Sequence, residues 1–291
     1  MQGKTIIITG GNSGIGHEAA RTFAKRGARV VLAVRSLQKG EQAHTLILAE
    51  NKLANVDVMN LDLADLQSVR FFSEAFKERF SSLDILINNA GIMVPPHQLT
   101  KDGFELQFGS NHLGHFALTG YLLPLLKKTT NSRVVTVSSI AHRKGTIMFD
   151  NLDGLTGYKP MVFYRQSKLA NLLFANELDQ RLKSQGISTL SIACHPGIST
   201  TNLFKFGKRD APQFLKRISE IFLQTAEMGA LPTVYAATNE SLTGGEYIGP
   251  DGKGNRKGQP TIEIPAPGVY NKDMMKKLWD TSQKLTGVSY L

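Results

Sequence analysis

Between residues 4 and 193, six short apolar runs recur, each followed by a stretch with helical spacing. The runs lie at 4–9, 29–34, 56–62, 84–88, 133–138 and 188–193. Short, nearly continuous runs of Val, Ile and Leu suit strands covered on both faces better than strands with one face in water. In the intervals the apolar period changes. Val69, Phe72, Phe76 and Phe80 share one face of a helix over 68–80, and Leu169, Leu172, Leu173, Leu178 and Leu182 belong to a long helix over 164–185. Ala19, Ala20, Phe23 and Ala24 mark a first helix that closes at Gly27. Further helices are expected over 37–51, from Phe108 to Leu126 and over 271–285, and a short strand at 246–248. Regular alternation of this kind predicts an α/β fold: a doubly wound, Rossmann-type parallel sheet with helices on both faces. One domain over residues 1–291 is expected, with a variable, substrate-covering segment around 198–226 where the alternation fades.

Composition narrows the function classes. Hydrophobic residues make up 41% of the 291, enough for a sizeable core. Cys194 is the single cysteine, so neither an intrachain disulfide nor a cysteine-based zinc cluster is available, in keeping with a reducing compartment. No secretory or membrane-spanning stretch is visible, and a soluble, cytoplasmic protein is the expectation. Net charge is +10, but the basic residues are scattered and no aromatic-interleaved basic stripe occurs, which argues against nucleic acid.

The first strand runs into Gly10-Gly11-Asn12-Ser13-Gly14-Ile15-Gly16. Glycines between a strand and a helix let backbone N–H groups approach a pyrophosphate at the helix N-terminus, although a plain strand-to-helix turn is the duller reading. The spacing is G-x-x-x-G-x-G, not the commoner G-x-G-x-x-G. The second strand ends Ala33-Val34-Arg35-Ser36, without the carboxylate that would bind the ribose hydroxyls of NAD. Arg35 is either a solvated charge or a cation for a 2′-phosphate, so NADP(H) is favoured over NAD(H).

Tyr164 and Lys168 are four apart and share a helix face. A phenol has a reference pKa near 10, and a nearby ammonium should lower it, making the pair fit for moving a proton to or from an oxygen. Any lysine-rich helix contains such a pair by chance, so the weight falls on its company.

That company resembles the short-chain dehydrogenase/reductase family. Thr9-Gly10-x-x-x-Gly14-Ile15-Gly16, Asn88-Asn89-Ala90-Gly91, Asn111, Ser138-Ser139, Tyr164-x-x-x-Lys168 and Pro196-Gly197 follow the family's order over roughly residues 4–202. Asn111-His112-Leu113-Gly114-His115-Phe116 and Ser167-Lys168-Leu169-Ala170-Asn171 look like its retinol dehydrogenase branch, and WW-domain oxidoreductase and protochlorophyllide reductase share them in part. The resemblance implies a catalytic set of Asn111, Ser139, Tyr164 and Lys168. Tyr164 would be the acid/base, Lys168 would hold the nicotinamide ribose, Ser139 would bind the reacting oxygen, and Asn111 would kink its helix and anchor a relay water. For the dinucleotide it implies Gly10, Asn12, Ser13, Gly14, Ile15, Gly16 and Arg35, then Asp62 and Leu63, then Asn89, Ala90 and Gly91, and finally Pro196, Gly197 and Thr200 beside Tyr164 and Lys168. It implies a small-molecule carbonyl or alcohol substrate and a dimer or tetramer of identical subunits.

Other chemistries lack their residues. His17-Glu18 is not followed by a second histidine at zinc-protease spacing, no G-x-S-x-G elbow exists, and no lysine completes a phosphate-hydrolysing loop. No metal site is expected. Residues 213–224 place Phe214, Leu215, Ile218, Ile221 and Phe222 on one helix face. Such a helix could be a lid over an apolar substrate, a packed or subunit-contact helix, or a membrane-surface helix. A rival of another class is a nucleotide-sensing or scaffold protein that binds NADP without turnover.

Overall fold

The computed structural model describes residues 1–198 and 224–291. The helix expected over 213–224 and Thr200 therefore fall outside the described residues, apart from Gln224 itself. The chain begins with β1 (Thr5–Thr9), α1 (Gly14–Lys25), β2 (Arg29–Val34), α2 (Leu37–Glu50), β3 (Asn55–Asn60), α3 (Leu66–Arg79) and β4 (Ile85–Asn88). A short α4 (Leu106–Phe108) leads through a π-helical turn, Gly109–Leu113, into α5 (Gly114–Lys128) and β5 (Arg133–Val137). A 3-10 helix, Ile140–Lys144, precedes α6 (Pro160–Ser184) and β6 (Leu190–Cys194). The remainder comprises α7 (Ala226–Thr238), β7 (Tyr247–Pro250), a 3-10 turn at Lys253–Asn255, β8 (Pro260–Glu263) and α8 (Lys272–Thr286).

The strands form one sheet in the order β3-β2-β1-β4-β5-β6-β7-β8. Alternate residues of each strand feed opposite layers. Ile6 and Ile8 of β1 pack with Ala19, Ala20 and Phe23 of α1 and with Val234 of α7. Ile7 faces the other way, into a layer containing Phe72 and Phe76 of α3, Phe116 of α5 and Leu178 of α6. All five residues of β1 are buried, so the double coverage inferred from its composition is real. At the opposite end from the cleft, Asp84 accepts hydrogen bonds from Lys4 Nζ at 2.8 Å and Thr5 N at 2.9 Å, clipping the start of β1 to the start of β4.

Two elements differ from the sequence expectation. β8 runs antiparallel to β7, with Ile248 opposite Ile262, so the sheet is not parallel throughout. It lies in a Gly- and Pro-rich stretch and opens with Pro260, which an edge strand tolerates because one side needs no donor. The helix α7 contains Gly229 and Pro232 and is apolar nearly all round, so it carries no helical period to read. It is instead buried against α1 and the sheet. No helix among the described residues is long and apolar enough to cross a membrane.

The C-terminal helix closes the α5–α6 face. The Trp279 ring lies 5.1 Å from Phe116, 6.0 Å from Phe174 and 4.9 Å from Tyr290, centroid to centroid, with the Arg181 guanidinium 4.4 Å over it. Removing a buried indole leaves a cavity that this ring cluster cannot fill. Trp279→Ala should lower stability by about 3–5 kcal/mol in urea unfolding. A loss below about 1 kcal/mol would make α8 a peripheral appendage.

Candidate active site

β1 has β2 on one side and β4 on the other, so the strand order reverses there and leaves a crevice at the carboxyl ends of the two strands. The glycine turn after β1 and Asn89-Ala90-Gly91 after β4 meet at that crevice. Thr9 joins them. Its Oγ1 accepts the amide N–H of Asn89 and of Ala90, both at 2.9 Å, and lies 2.9 Å from His115 Nε2. His115 Nδ1 is 2.9 Å from the Asn111 carbonyl, which can only accept, so the ring proton sits on Nδ1 and Nε2 receives the threonine hydroxyl. Every position of this network is filled by a neutral imidazole. Burial agrees, pulling the His115 pKa down to about 4.

The glycines are needed for contact as well as for the turn. Gly10 has φ 65°, and a Cβ on it would meet the Ala90 Cβ at 3.1 Å. A Cβ on Gly16 would lie 2.4 Å from Asn89 Nδ2 and 2.6 Å from the Gly10 carbonyl. The helix they open, like α6, lacks the side-chain cap found on several others. α2, α3, α7 and α8 receive side-chain caps from Ser36, Asp65, Thr225 and Asn271. At α1 the Ser13 side chain makes no cap bond, and no acidic residue occupies the first turn. Free N–H groups and an uncompensated positive helix end fit the pyrophosphate of a dinucleotide. Asn12 is half-buried, Ser13 is exposed and Ile15 packs on the core beneath them.

Farther along the same edge, Arg35 is exposed just past β2, and among the described residues no carboxylate pairs with it. Asp62 is half-buried, and its Oδ1 accepts the Ala64 amide at 3.0 Å. Leu63 lies under the start of α5, where a Cβ on Gly114 would come within 2.5 Å of its carbonyl oxygen.

On the other side of the turn stands α6, which places Tyr164 and Lys168 one turn apart with Nζ 5.9 Å from the phenol centroid. Ser139 caps the 3-10 helix after β5, accepting from the Ala141 amide at 3.2 Å, and it lies near enough to the Tyr164 phenol to lower its pKa. Ser138 is spent elsewhere: its buried hydroxyl donates to the Lys168 carbonyl at 2.7 Å. The second serine is thus the one that acts on the tyrosine. Lys168 Nζ is buried and donates to the Val137 carbonyl at 3.1 Å. A Cβ on Gly91 would fall 3.3 Å from that nitrogen, so the missing side chain leaves the ammonium an open approach.

Asn111 sits inside the π-helical turn Gly109–Leu113, fully buried. Its Oδ1 accepts from Ile92 N at 2.9 Å, and its Nδ2 donates to Ile92 O and to Ser167 Oγ, both at 3.0 Å. The irregular turn is held by these bonds, and from outside by His112, whose Nε2 is 2.9 Å from Ser282 Oγ on α8.

One electrostatic expectation is corrected. Burial raises the Tyr164 phenol above its ordinary value, with the nearby Ser139 side chain the opposing, lowering influence. Desolvation also brings Lys168 down to about 8, which leaves it mostly charged at neutral pH.

Pro196 and Gly197 follow β6, and Gly197 has φ 70°. Cys194 is buried, its thiol pushed up to about 12 by desolvation, and is a core residue. Sequence reasoning missed His115. Its place four residues after Asn111, over the carbonyl of the π turn, is the signal that could have revealed it.

The short chain dehydrogenase family profile matches residues 4–211. Human retinol dehydrogenase 13 is 40% identical over 295 residues, covering 99% of this chain and 86% of that protein. Human retinol dehydrogenase 11 is 39% identical over 288 residues, covering 99% and 87%. Among solved structures, an uncharacterised protein of Mycobacterium paratuberculosis is 42% identical, with a TM-score of 0.83 over 100% of this chain and 96% of its own. The Pseudomonas aeruginosa RhlG/NADP active-site complex is 25% identical, with a TM-score of 0.66 over 85% and 94%.

The neutral histidines make stability pH-dependent. Burial holds His115 near 4 and His112 near 3 in the folded chain, whereas both titrate near 6.5 when unfolded. Below 6.5 the unfolded chain takes up protons that the fold refuses. Their contribution is therefore complete above 6.5 and declines as pH falls, by about 1.4 kcal/mol per pH unit for each histidine. Urea unfolding between about pH 7 and pH 5 should show that slope, with roughly half of it gone in His115→Gln. A flat profile would mean the rings are charged in the fold.

Proposed function

The chain belongs to the short-chain dehydrogenase family, on its retinol dehydrogenase branch, and from that footing we propose that it is an NADP(H)-dependent oxidoreductase interconverting an apolar carbonyl compound and its alcohol. The observation that carries this reading is the grouping of Ser139, Tyr164 and Lys168, with the Lys168 ammonium against Gly91 and Asn111 bonded to Ser167 behind it. Bound NADP(H) would supply or accept the hydride at its nicotinamide C4. In reduction Tyr164 gives its proton to the substrate oxygen, and a phenol kept protonated by burial is ready for that step. The Ser139 hydroxyl, close enough to influence the phenol, holds the same oxygen. Lys168 places a donor toward the gap left by Gly91, where the nicotinamide ribose would lie. Asn111, with both side-chain ends bonded, orients Ser167 and the Ile92 backbone and does not touch substrate.

Preference for NADP(H) is supported by the exposed Arg35 at the end of β2 and by the absence of a carboxylate there. Asn12, Ser13, Gly14 and Ile15 would face the pyrophosphate, Asp62 and Leu63 the adenine, Asn89 and Ala90 the ribose region, and Pro196, Gly197 and Thr200 the nicotinamide. An apolar substrate is supported by the names of the retinol dehydrogenase relatives. Exposed apolar side chains give local support, with Met161 one turn before Tyr164 on α6 and Val94 three residues past Gly91.

Two measurements test the reading. Tyr164→Phe should keep NADPH binding, seen by the fluorescence of bound NADPH, and lose about 10²–10⁴ in kcat toward apolar aldehydes. Wild-type protein that binds NADPH yet oxidises it with no member of such a panel would be a sensor or scaffold. Arg35→Ala should weaken NADPH by about tenfold or more while sparing NADH. Equal losses would remove the 2′-phosphate role.

A further inference from the structure

Nothing in the chemistry above draws on β8, yet that strand ends in a carboxylate that is only 8% exposed. Both oxygens of Glu263 are used. Oε2 accepts from His195 Nε2 at 2.8 Å, and Oε1 accepts from the Arg143 guanidinium at 2.8 Å. His195 Nδ1 accepts the Gly197 amide at 3.1 Å, which leaves its ring proton on Nε2 for the carboxylate. Arg143 belongs to the 3-10 helix capped by Ser139, and its guanidinium also donates to Asn255 Oδ1 at 2.6 Å. One buried carboxylate therefore grips the turn after β6 and the segment after β5 together. Space has been left for it. A Cβ on Gly249 of β7 would stand 2.1 Å from His195 Nε2 and 2.8 Å from Glu263 Oε2. Burial alone would raise the Glu263 carboxyl, but the bonds from His195 and Arg143 outweigh it and hold the group below the usual carboxylate range.

We propose that Glu263 is a positioning residue for the cleft, acting through His195 and Arg143 to set the Pro196–Gly197 turn against the Ser139 segment. It touches no reacting atom. Its effect on turnover rests on the oxidoreductase reading; its effect on the two segments does not. The competing role is a staple that merely holds the edge strand to β7.

Amide hydrogen exchange on the cofactor-free protein separates these roles, with NADPH titration and aldehyde turnover alongside. In Glu263→Ala, exchange over 139–145 and 194–198 should quicken by about tenfold or more, while peptides from β1 to β4 keep their wild-type rates. NADPH should bind more weakly, and kcat should fall by up to about a hundredfold. Glu263→Gln divides the two arms. Its amide oxygen still accepts from His195, but its NH₂ group opposes Arg143, so 139–145 loosens and 194–198 stays protected. Arg143→Ala, at a partly exposed site, should reproduce that pattern and carries the test if Glu263→Ala does not fold. Faster exchange confined to β7 and β8 overturns the proposal, as does unchanged NADPH affinity and turnover in Glu263→Ala of an active protein. A wild type that binds no NADPH removes the oxidoreductase reading but leaves the exchange result to decide the positioning role.

Discussion

The cleft is referenced to one hydroxyl. Thr9, at the carboxyl end of a fully buried strand, accepts two amide protons from the chain leaving β4 and gives its own proton to His115. Those bonds hold the glycine turn beside Asn89 and Ala90 and connect both to the carbonyl of Asn111. In a low-dielectric interior an unpaired polar group is expensive, so a fully satisfied set of this kind admits one arrangement and resists others. The site inherits its rigidity from that economy of donors and acceptors.

The same reasoning explains the uneven treatment of the buried polar groups around it. Asn111 and Ser138 have their bonding capacity directed into the scaffold, while the Lys168 ammonium, though it donates to the Val137 carbonyl, also lies against Gly91. A π-helical turn is irregular backbone, and here it is braced from two sides, by Asn111 on Ile92 and by His112 on Ser282. The C-terminal helix, far along the chain, is thereby part of what holds the turn, and the ring cluster around Trp279 anchors that helix.

Most of the architecture was legible in the sequence because parallel strands covered on both faces cannot disguise their composition. The run at 29–34 and the helix starting at Leu37 emerge with the boundaries expected of them. What escaped had no periodic signature. α7 is apolar on all sides and interrupted by Pro232, and β8 hides in a stretch of glycines and prolines. The electrostatics of the tyrosine escaped for a different reason. The four-residue spacing places Lys168 near Tyr164, but spacing contains no information about desolvation, and burial moved the phenol against the expected direction.

By itself the sequence determined the layered α/β fold, the glycine turn and the tyrosine–lysine pair, because each depends on local spacing and on the chemistry of side chains a few residues apart. Only the tertiary structure decided that Ser138 is bonded to the Lys168 carbonyl, that His115 sits neutral on Thr9, and that Glu263 reaches both His195 and Arg143. Those facts depend on which strand lies beside which. Arg143 and Glu263 are 120 residues apart in the chain. Their contact exists because β8 turns back antiparallel on β7 and so carries its last side chain to the carboxyl end of β6.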